Sequence, residues 1–355
     1  MSPRSRKDEH LDLCADDNVA FRGKTTLFEE VELVHDALPE RALADVALGT
    51  SLLGKRLAAP VVVAAMTGGV PRAEAINRDL AAVAQAEGLA LALGSQRPLL
   101  EHGARDGYFL RDVAPTALLL GNVGLATARN TPTSRLAALV RDTGVDALCV
   151  HCNAAMEAVQ PEGTADLRGG LDTLRRLVGE LPVPVVVKET GCGLSRRVGE
   201  RIVAAGIRAV DVSGAGGTSW VGVEALRAEA PMRAVGETFW DWGIPTAASL
   251  VQLTGLPLER VATGGVADGL VAAKALALGA RAVGLARPVL HAWTAGGREG
   301  VRSFLARVVA ELRLACWLTG AASVGDLAEC DVVVGERLQR WAVPGAPLRA
   351  PRPGG

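Results

Sequence analysis

The sequence contains few aromatic residues: six tryptophans, five phenylalanines and one tyrosine among 355 residues. It has no excess of charge of one sign either, because 38 lysines and arginines nearly balance 39 aspartates and glutamates. The net charge of -1 argues against binding to nucleic acid or to a membrane surface by charge alone. No apolar run reaches the roughly 20 residues that span a bilayer. The first ten residues are rich in charge and lack an apolar stretch, so we expect a cytoplasmic protein without a secretory signal.

Cysteine is also scarce, and the six cysteines show no spacing typical of a disulfide framework. Cys149 and Cys152 form a C-x-x-C pair, which in another context would indicate a redox or zinc site. They lie in DALCVHCN, which predicts a buried strand, and residues three apart in a strand point to opposite faces. We therefore predict that both are small core residues rather than ligands of one metal.

The residues that are abundant, 41 glycines and an apolar fraction of 49%, fall into a repeating unit. Each unit has a short apolar run, a glycine-containing turn and, in most cases, a helical pattern. The runs cover residues 60–66, 89–94, 117–122, 146–151, 184–189, 209–214, 260–265 and 281–286. Nearly continuous apolar runs are typical of parallel strands buried on both faces. Eight of them predict an α/β fold of the (β/α)8 TIM-barrel class.

An open doubly wound sheet is the main alternative fold. That fold usually carries G-x-G-x-x-G after its first strand, whereas the first run here ends in Met66-Thr67-Gly68-Gly69. We predict a single barrel domain over 1–342, in which 1–55 caps one end and C-terminal helices fill 300–342. Residues 343–355, rich in proline, glycine and arginine, predict a flexible tail.

Polar, basic or glycine residues follow all eight runs, and a barrel carries its site at the carboxyl ends of its strands. Three of these ends suggest a phosphate site: the turn from Ser213 to Ser219, the pair Gly264-Gly265, and Ala286. Glycine turns can direct backbone N–H groups at an anion, and the last two strands of barrels commonly bind a cofactor phosphate.

Lys188 and the loop that begins at His151 are the other candidates at strand ends. Lys188 has three interpretations: a Schiff-base nucleophile, a partner of a negative group such as a reduced flavin, or a structural partner of a nearby glutamate. The loop HCNAAMEAVQPEG is crowded with polar groups that suit a diphosphate and its Mg²⁺. The charged segment RKDEH, residues 6–10, is either a solvated leader or a basic lid over a polyanion.

Taken together, the motifs resemble the type 2, FMN-dependent isopentenyl diphosphate isomerases over roughly residues 5 to 342. The segments that carry the resemblance are RKDEH (6–10), LVHDALPE (33–40), MTGG (66–69), GSQR (94–97), H-x-N with E and QPEG (151–163), KETGCGLS (188–195), DVSGAGGTSW (211–220), WGIPTA (242–247) and KALALGA (274–280). The 2-hydroxy-acid oxidases, which are other FMN barrels, do not share this set.

The resemblance also implies a role for individual residues. The residues that correspond to FMN contacts are Met66, Thr67, Ser95, Asn122, Lys188, Ser213, Thr218, Gly264, Gly265 and Ala286. Those that correspond to the substrate diphosphate site and the surrounding shell are Arg6, Lys7, Arg97, His151, Asn153 and Gln160, with Glu157 at the Mg²⁺ position. The catalytic positions implied are Met156, Gln160, Trp220 and Glu224.

The implied reaction interconverts isopentenyl and dimethylallyl diphosphate by protonation and deprotonation, with reduced FMN as the acid. Because the reaction has no net redox change, NAD(P)H is implied only as the reductant of the flavin. The indole ring of Trp220 is suited to stabilise a carbocation. Related barrels imply a homo-oligomer, either a tetramer or an octamer.

Two departures from the family pattern bear on this expectation. Met156 stands where the family has a glutamine that takes part in proton transfer, and a thioether cannot relay a proton as an amide can. This favours an alternative, a paralogue that uses the same acid chemistry to cyclise a longer prenyl chain or move its double bond. After the Gly264-Gly265 pair, Ala267 stands where an arginine is usual, so Arg287 or backbone groups must hold the FMN phosphate instead.

Overall fold

The computed structural model describes residues 6–15, 19–161 and 163–348, without the side chain of Arg6. Its strands in chain order are β1 (Val31–Leu33), β2 (Thr50–Leu52), β3 (Lys55–Leu57), β4 (Val61–Val63), β5 (Ala90–Ala92), β6 (Leu118–Gly124), β7 (Ala147–Cys152), β8 (Val185–Glu189), β9 (Ala209–Asp211), β10 (Glu259–Thr263), β11 (Ala282–Leu285) and β12 (Val332–Val334). Strands β4 to β11 pair in parallel with their neighbours, and β11 pairs with β4 to close the barrel. All eight predicted runs therefore form barrel strands.

The helices, in chain order, are α1 (Arg6–Ala15), α2 (Pro71–Glu87), α3 (Arg97–His102), α4 (Leu125–Asn130), α5 (Thr133–Thr143), α6 (Ala154–Val159), α7 (Gly170–Glu180), α8 (Arg196–Ala204), α9 (Trp220–Arg227), α10 (Met232–Thr238), α11 (Thr246–Gln252), α12 (Gly269–Ala277), α13 (Arg287–Leu318) and α14 (Glu336–Gln339). Helix α13 is interrupted by non-helical backbone at Gly296 and Gly297. In the part of the chain that is described, no helix is long and apolar enough to cross a bilayer.

The core has two layers, because alternate side chains of each barrel strand point inward and outward. The inner layer fills the barrel with small and β-branched side chains such as Val62, Ala90 and Val186. The outer layer packs the strands against the helices. Cys149 lies in the inner layer and Cys152 packs against the outer one, so the two thiols are on opposite faces of β7, as alternation predicted.

Segments that precede the barrel contact both of its ends. The β2–β3 hairpin closes the amino end, where Leu52 and Leu57 complete the inner core. Its backbone is held there by Glu259 at the start of β10, which accepts from the Leu53 N–H, and by Arg281, which donates to the Ser51 carbonyl. Helix α1 lies at the opposite, carboxyl end. The prediction that 1–55 caps one end of the barrel stays a prediction.

The C-terminal region contains the expected helices and one further strand. Helix α13 packs on α2 and α12, and α14 follows near the end of the described chain. Between them, β12 pairs antiparallel with β1, Val31 opposite Val334. Three consecutive valines favour an extended strand, and β1 offers them a partner that a local pattern cannot reveal. Residues 349–355 of the predicted tail lie outside the described residues.

Candidate active site

A cavity of about 690 Å³ opens at the carboxyl ends of the barrel strands. This volume is typical of a site for small molecules and cofactors. Residues that follow each of the eight strands line it, together with helix α1 from the N-terminal segment. The position agrees with the rule that barrels build their sites at this end.

Nearly all the residues predicted from the sequence meet in this cavity. Its walls include Lys7, Met66, Thr67, Ser95, Arg97, Asn122, His151, Asn153, Met156, Glu157, Gln160, Lys188, Ser213, Thr218, Trp220, Gly264, Gly265 and Ala286. Two predicted residues are exceptions. Glu224 is fully buried behind the wall and does not line it, and the side chain of Arg6 lies outside the described structure. The individual roles of these residues stay predictions.

The glycine turns after β9 and β10 interlock at one side of the cavity. Gly264 and Gly265 have φ of +104° and +71°, a region that favours glycine. A Cβ on Gly264 would lie 2.2 Å from the Gly214 carbonyl oxygen, and one on Gly217 would lie 2.5 Å from the Gly265 nitrogen. Only glycine fits here, so bare backbone faces the cavity, as a phosphate cradle requires.

Buried polar atoms without a partner lie in the same wall. Within the described chain, Thr67 Oγ1, Thr263 Oγ1 and Arg287 Nη1 are buried and make no hydrogen bond, and all three residues line the cavity. Buried polar groups are normally satisfied, so a cluster of exceptions indicates the place of a polar ligand. The glycine cradle with an arginine beside it suits a phosphate, and the surrounding hydroxyls suit the polar edge of a flavin.

Two of these polar residues were not among the predicted cofactor contacts. Thr263 ends the run RVATGG, and its polar side chain at the carboxyl end of a strand was the signal that could have identified it. Arg287 was considered only as a substitute for the missing family arginine. It is the first residue of α13, which follows β11, and β11 pairs with β10, the strand that ends at the Gly264-Gly265 turn.

Lys188 at the end of β8 is held by a buried ion pair. Its Nζ lies 2.6 Å from Asp211 Oδ2 on the neighbouring strand β9, and both residues are buried. The sequence suggested a glutamate as the structural partner of Lys188, whereas in the structure its partner is Asp211. Since the paired lysine still lines the cavity, its charge remains available to a ligand there.

His151 and Asn122 form a pair across the ends of β7 and β6. The Asn122 amide donates to the Leu93 carbonyl at 3.0 Å, which leaves its Oδ1 to accept from His151 Nδ1 at 2.8 Å. This hydrogen bond assigns the proton to Nδ1 and fixes the ring plane. Asn122 therefore orients His151 within the cavity.

Helix α6 carries the polar residues of the loop after β7. Asn153 Nδ2 donates to Glu157 Oε1 at 2.9 Å and lies 3.7 Å from Met156 Sδ. The second carboxylate oxygen of Glu157 accepts from the Thr164 N–H at 2.6 Å. The thioether of Met156 thus lies in the cavity wall beside the Asn153 amide, where it can accept only weakly.

Cationic side chains gather at the rim. Lys7 Nζ donates to the Ser95 carbonyl at 3.1 Å, and Arg97 pairs with Glu101 one turn along α3. Arg135, at the start of α5, also lines the rim and donates to the Leu100 carbonyl at 2.6 Å. No motif in the sequence pointed to Arg135. The cluster makes the cavity entrance suited to an anionic ligand.

The loop after β8 rests on a buried carboxyl group. Burial raises the pKa of Glu189 to about 7, although the backbone N–H groups of Cys192 and Thr190 donate to it and oppose the shift. Thr190 and Gly191 line the cavity, so Glu189 supports this part of the wall from behind.

Comparison with known proteins identifies the class first. A family model described as FMN-dependent dehydrogenase matches residues 129–333, more than half of the chain. Solved structures of mandelate oxidase variants share the fold: one with a monooxide FMN adduct has a TM-score of 0.65 at 21% identity, covering 91% of this chain and 95% of that one. Another, with benzaldehyde, has a TM-score of 0.63 at 23% identity, covering 92% and 95%. The chain belongs to the FMN-dependent dehydrogenase family, and the predicted barrel fold is confirmed.

Relatives at higher identity define the group within that family. An isopentenyl-diphosphate delta-isomerase of Methanothermobacter thermautotrophicus is 41% identical over 339 residues, 95% of this chain and 95% of that protein. A protein of the same name from Stutzerimonas stutzeri is 45% identical over 331 residues, 91% of this chain and 95% of that protein. A third, from Methanosarcina barkeri, is 42% identical over 335 residues. The chain is a member of the isopentenyl-diphosphate delta-isomerase family, as its motifs predicted.

Proposed function

We propose that this protein is an FMN-dependent isomerase that interconverts isopentenyl diphosphate and dimethylallyl diphosphate. The observation that carries the proposal is the similarity to isopentenyl-diphosphate delta-isomerases over more than nine-tenths of the chain. The cavity supports it, since a glycine cradle, unsatisfied polar atoms and a cationic rim surround one space. These relatives do not favour the longer-chain alternative.

FMN fits the walls of the cavity with its phosphate at the interlocked glycine turns. In this proposal the Gly264-Gly265 backbone and Arg287 bind the phosphate, while Thr67, Thr263 and Lys188 satisfy polar atoms of the ring system. When bound in its reduced form, FMN supplies the proton-donating group on which the isomerisation depends. Lys188, held by Asp211, places a positive charge that stabilises an anionic reduced ring.

The substrate diphosphate fits the cationic rim. Lys7, Arg97 and His151 are the groups that we propose to bind it, with Asn122 holding His151 in orientation. Glu157 is the proposed ligand of Mg²⁺. No trio of histidine, cysteine or acidic side chains is placed to hold a metal ion in the described ranges, so the diphosphate itself must complete the coordination. One carboxylate with substrate phosphates is a usual arrangement for Mg²⁺.

The side chains of Trp220 and Met156 contact the apolar end of the substrate in this proposal. The indole face of Trp220 stabilises positive charge that develops on the carbon skeleton. Met156 adds a polarizable sulfur but no proton relay. Gln160, buried nearby in the same wall, is the amide that we propose to take part in proton movement instead.

Two further parts of the proposal concern the reductant and the assembly. NAD(P)H is the proposed source of electrons, because the flavin must be reduced although the isomerisation consumes no electrons.

A homo-oligomer, tetramer or octamer, is proposed for the assembly. The exposed aromatic pair Phe239 and Trp242, with ring centroids 5.6 Å apart, supports a contact between subunits. Light scattering of the purified protein tests this.

The function is tested by an anaerobic assay with FMN, Mg²⁺ and NADPH or dithionite. Isopentenyl, geranyl, farnesyl and geranylgeranyl diphosphates are offered in parallel. We expect the five-carbon substrate to be isomerised only when the flavin is reduced. A five-carbon substrate left unchanged beside a cyclised longer product would overturn the proposal.

A matched variant tests the position that departs from the family. Met156→Gln restores an amide beside Asn153 in the cavity wall. We expect it to raise the isomerisation rate by about a hundredfold, at the low end of general acid–base contributions. An unchanged rate would remove residue 156 from the proton pathway and leave Gln160 as the amide to test.

A further inference from the structure

Helix α1 lies at the carboxyl end of the barrel and supplies part of the cavity wall. Lys7, His10, Leu11 and Cys14 of this helix all line the cavity. The ring of His10 meets the indole of Trp220 edge-on, with centroids 5.4 Å apart. One helix thus contacts both the proposed diphosphate site, through Lys7, and the proposed wall of the carbon skeleton, through Trp220.

Two charged residues of α9, Glu224 and Arg227, hold α1 in this position. His10 Nε2 lies 2.9 Å from Glu224 Oε1 on α9. The second oxygen of Glu224 accepts from Arg227 Nη1 at 2.5 Å, and Arg227 Nε also donates to Glu9 of α1 at 2.8 Å. Residues separated by more than 200 positions in the chain therefore form one continuous network.

Burial makes this network differ from an ordinary surface ion pair. The side chain of Glu224 is 0% exposed, and those of Arg227 and His10 are 10% and 14% exposed. Burial acts to raise the pKa of Glu224, but His10 and Arg227 outweigh it and hold that pKa below its ordinary value. Removing one partner of a buried charged group is strongly destabilising, because the other charge is left uncompensated.

We propose that Glu224 is a positioning residue that fastens helix α1 in the cavity wall through His10 and Arg227. The sequence resemblance placed Glu224 among the groups that act near the flavin. The structure places Glu224 outside the cavity wall and in contact with His10, which lines the cavity and meets Trp220. The kinetic test of this inference rests on the proposed function, whereas the test by hydrogen exchange does not.

The first test is hydrogen exchange of the backbone amides of α1 in FMN-loaded protein. Glu224→Gln keeps the shape and one hydrogen-bond acceptor but removes the charge. We expect the amides of α1 to exchange at least about tenfold faster, because loss of the charge weakens both sides of the network and α1 opens locally. The KM for isopentenyl diphosphate should rise by about tenfold, with kcat changed less than about threefold.

The matched control is an exposed ion pair between α1 and α2. Arg72 lies 2.6 Å from Asp12 of α1, and both side chains are about two-fifths exposed. Exposed pairs contribute little to stability, so Arg72→Gln should change the exchange of α1 by less than about twofold.

A second variant of the same network keeps the proposal testable if Glu224→Gln does not fold. Arg227→Lys keeps the charge but cannot reproduce the two-sided hydrogen bonding to Glu9 and Glu224, and it should also speed exchange of α1. Unchanged exchange in both variants would overturn the proposal, as would a kcat lowered a hundredfold in Glu224→Gln with α1 still protected. Hydrogen exchange needs no turnover, so a wild-type protein without isomerase activity would refute the proposed function and leave this inference standing.

Discussion

The proposed phosphate contact of Arg287 gives the sharpest test of the FMN site. Its Nη1 is buried in the cavity wall without a partner within the described residues, and the strand before it, β11, pairs with the strand that ends at the Gly264-Gly265 turn. Arg287→Leu removes the charge and the donor while keeping an apolar stem. Because the wild-type group makes no hydrogen bond there, the apoprotein should lose little stability.

The expected magnitude follows from the type of hydrogen bond. Hydrogen bonds to charged groups contribute about 1.5 to 3 kcal/mol, and every 1.4 kcal/mol corresponds to tenfold in affinity. The Kd for FMN should therefore rise by about 10- to 150-fold. Riboflavin lacks the phosphate, so its Kd should change less than about twofold.

Quenching of flavin fluorescence measures both dissociation constants on the apoprotein. Arg281→Leu is the matched control, because Arg281 immediately precedes β11 and bonds to Ser51 at the opposite end of the barrel. It should leave both constants unchanged. An equal loss of affinity for FMN and riboflavin in Arg287→Leu, or no loss for either, would refute the assignment of Arg287 to the phosphate.

Three further predictions concern the walls of the same cavity. Gly265 has a φ of +71°, and a Cβ at this position would lie 2.4 Å from Thr26 Cγ2. Gly265→Ala should therefore lower the free energy of unfolding by about 1–3 kcal/mol. An unchanged Tm would contradict this prediction. Asn122→Ala frees the ring of His151. The Kd for inorganic pyrophosphate, measured by calorimetry, should therefore rise by about fivefold, as for a lost hydrogen bond of about 1 kcal/mol; an unchanged Kd would mean that Asn122 does not orient His151. Burial raises the pKa of Glu189 from 4.5 to about 7, so between these values the folded protein holds a proton that the unfolded chain has lost. Stability therefore falls as pH rises through this range, and the penalty persists above it. Relative to wild type, Glu189→Gln should gain on the order of 3 kcal/mol between pH 5 and pH 8 in urea unfolding; a pH-independent difference would refute this.

Much of the site could be predicted from local sequence because, in a barrel, the place of a residue relative to its strand determines at which end of the barrel it lies. A residue that follows a strand lies at the carboxyl end, whichever strand it follows. For this reason Thr67, Lys188 and the Gly264-Gly265 pair, each after a different apolar run, were expected in one cavity and line it together. The glycine requirement is equally local, since positive φ is a property of the residue's own backbone.

Contacts between distant segments could not be predicted in this way. The pattern of RKDEH is compatible with a solvated leader and with a lid, and only packing on α9 distinguishes them. His10 and Glu224 are 214 residues apart, and nothing near either residue indicates the other. The pairing of Lys188 with Asp211 likewise depends on the register between β8 and β9, in which the two residues stand opposite each other.

The strand count, the barrel class, the glycine turns and the family can therefore be inferred from the residues alone, because each depends on residue type and spacing along the chain. Which polar groups are satisfied depends on the folded arrangement. It left Arg287 Nη1 and Thr263 Oγ1 without partners in the described cavity wall, and it buried Glu224 beneath α1. Burial and pairing are properties of three-dimensional neighbours, and those neighbours come from segments that are far apart in the chain.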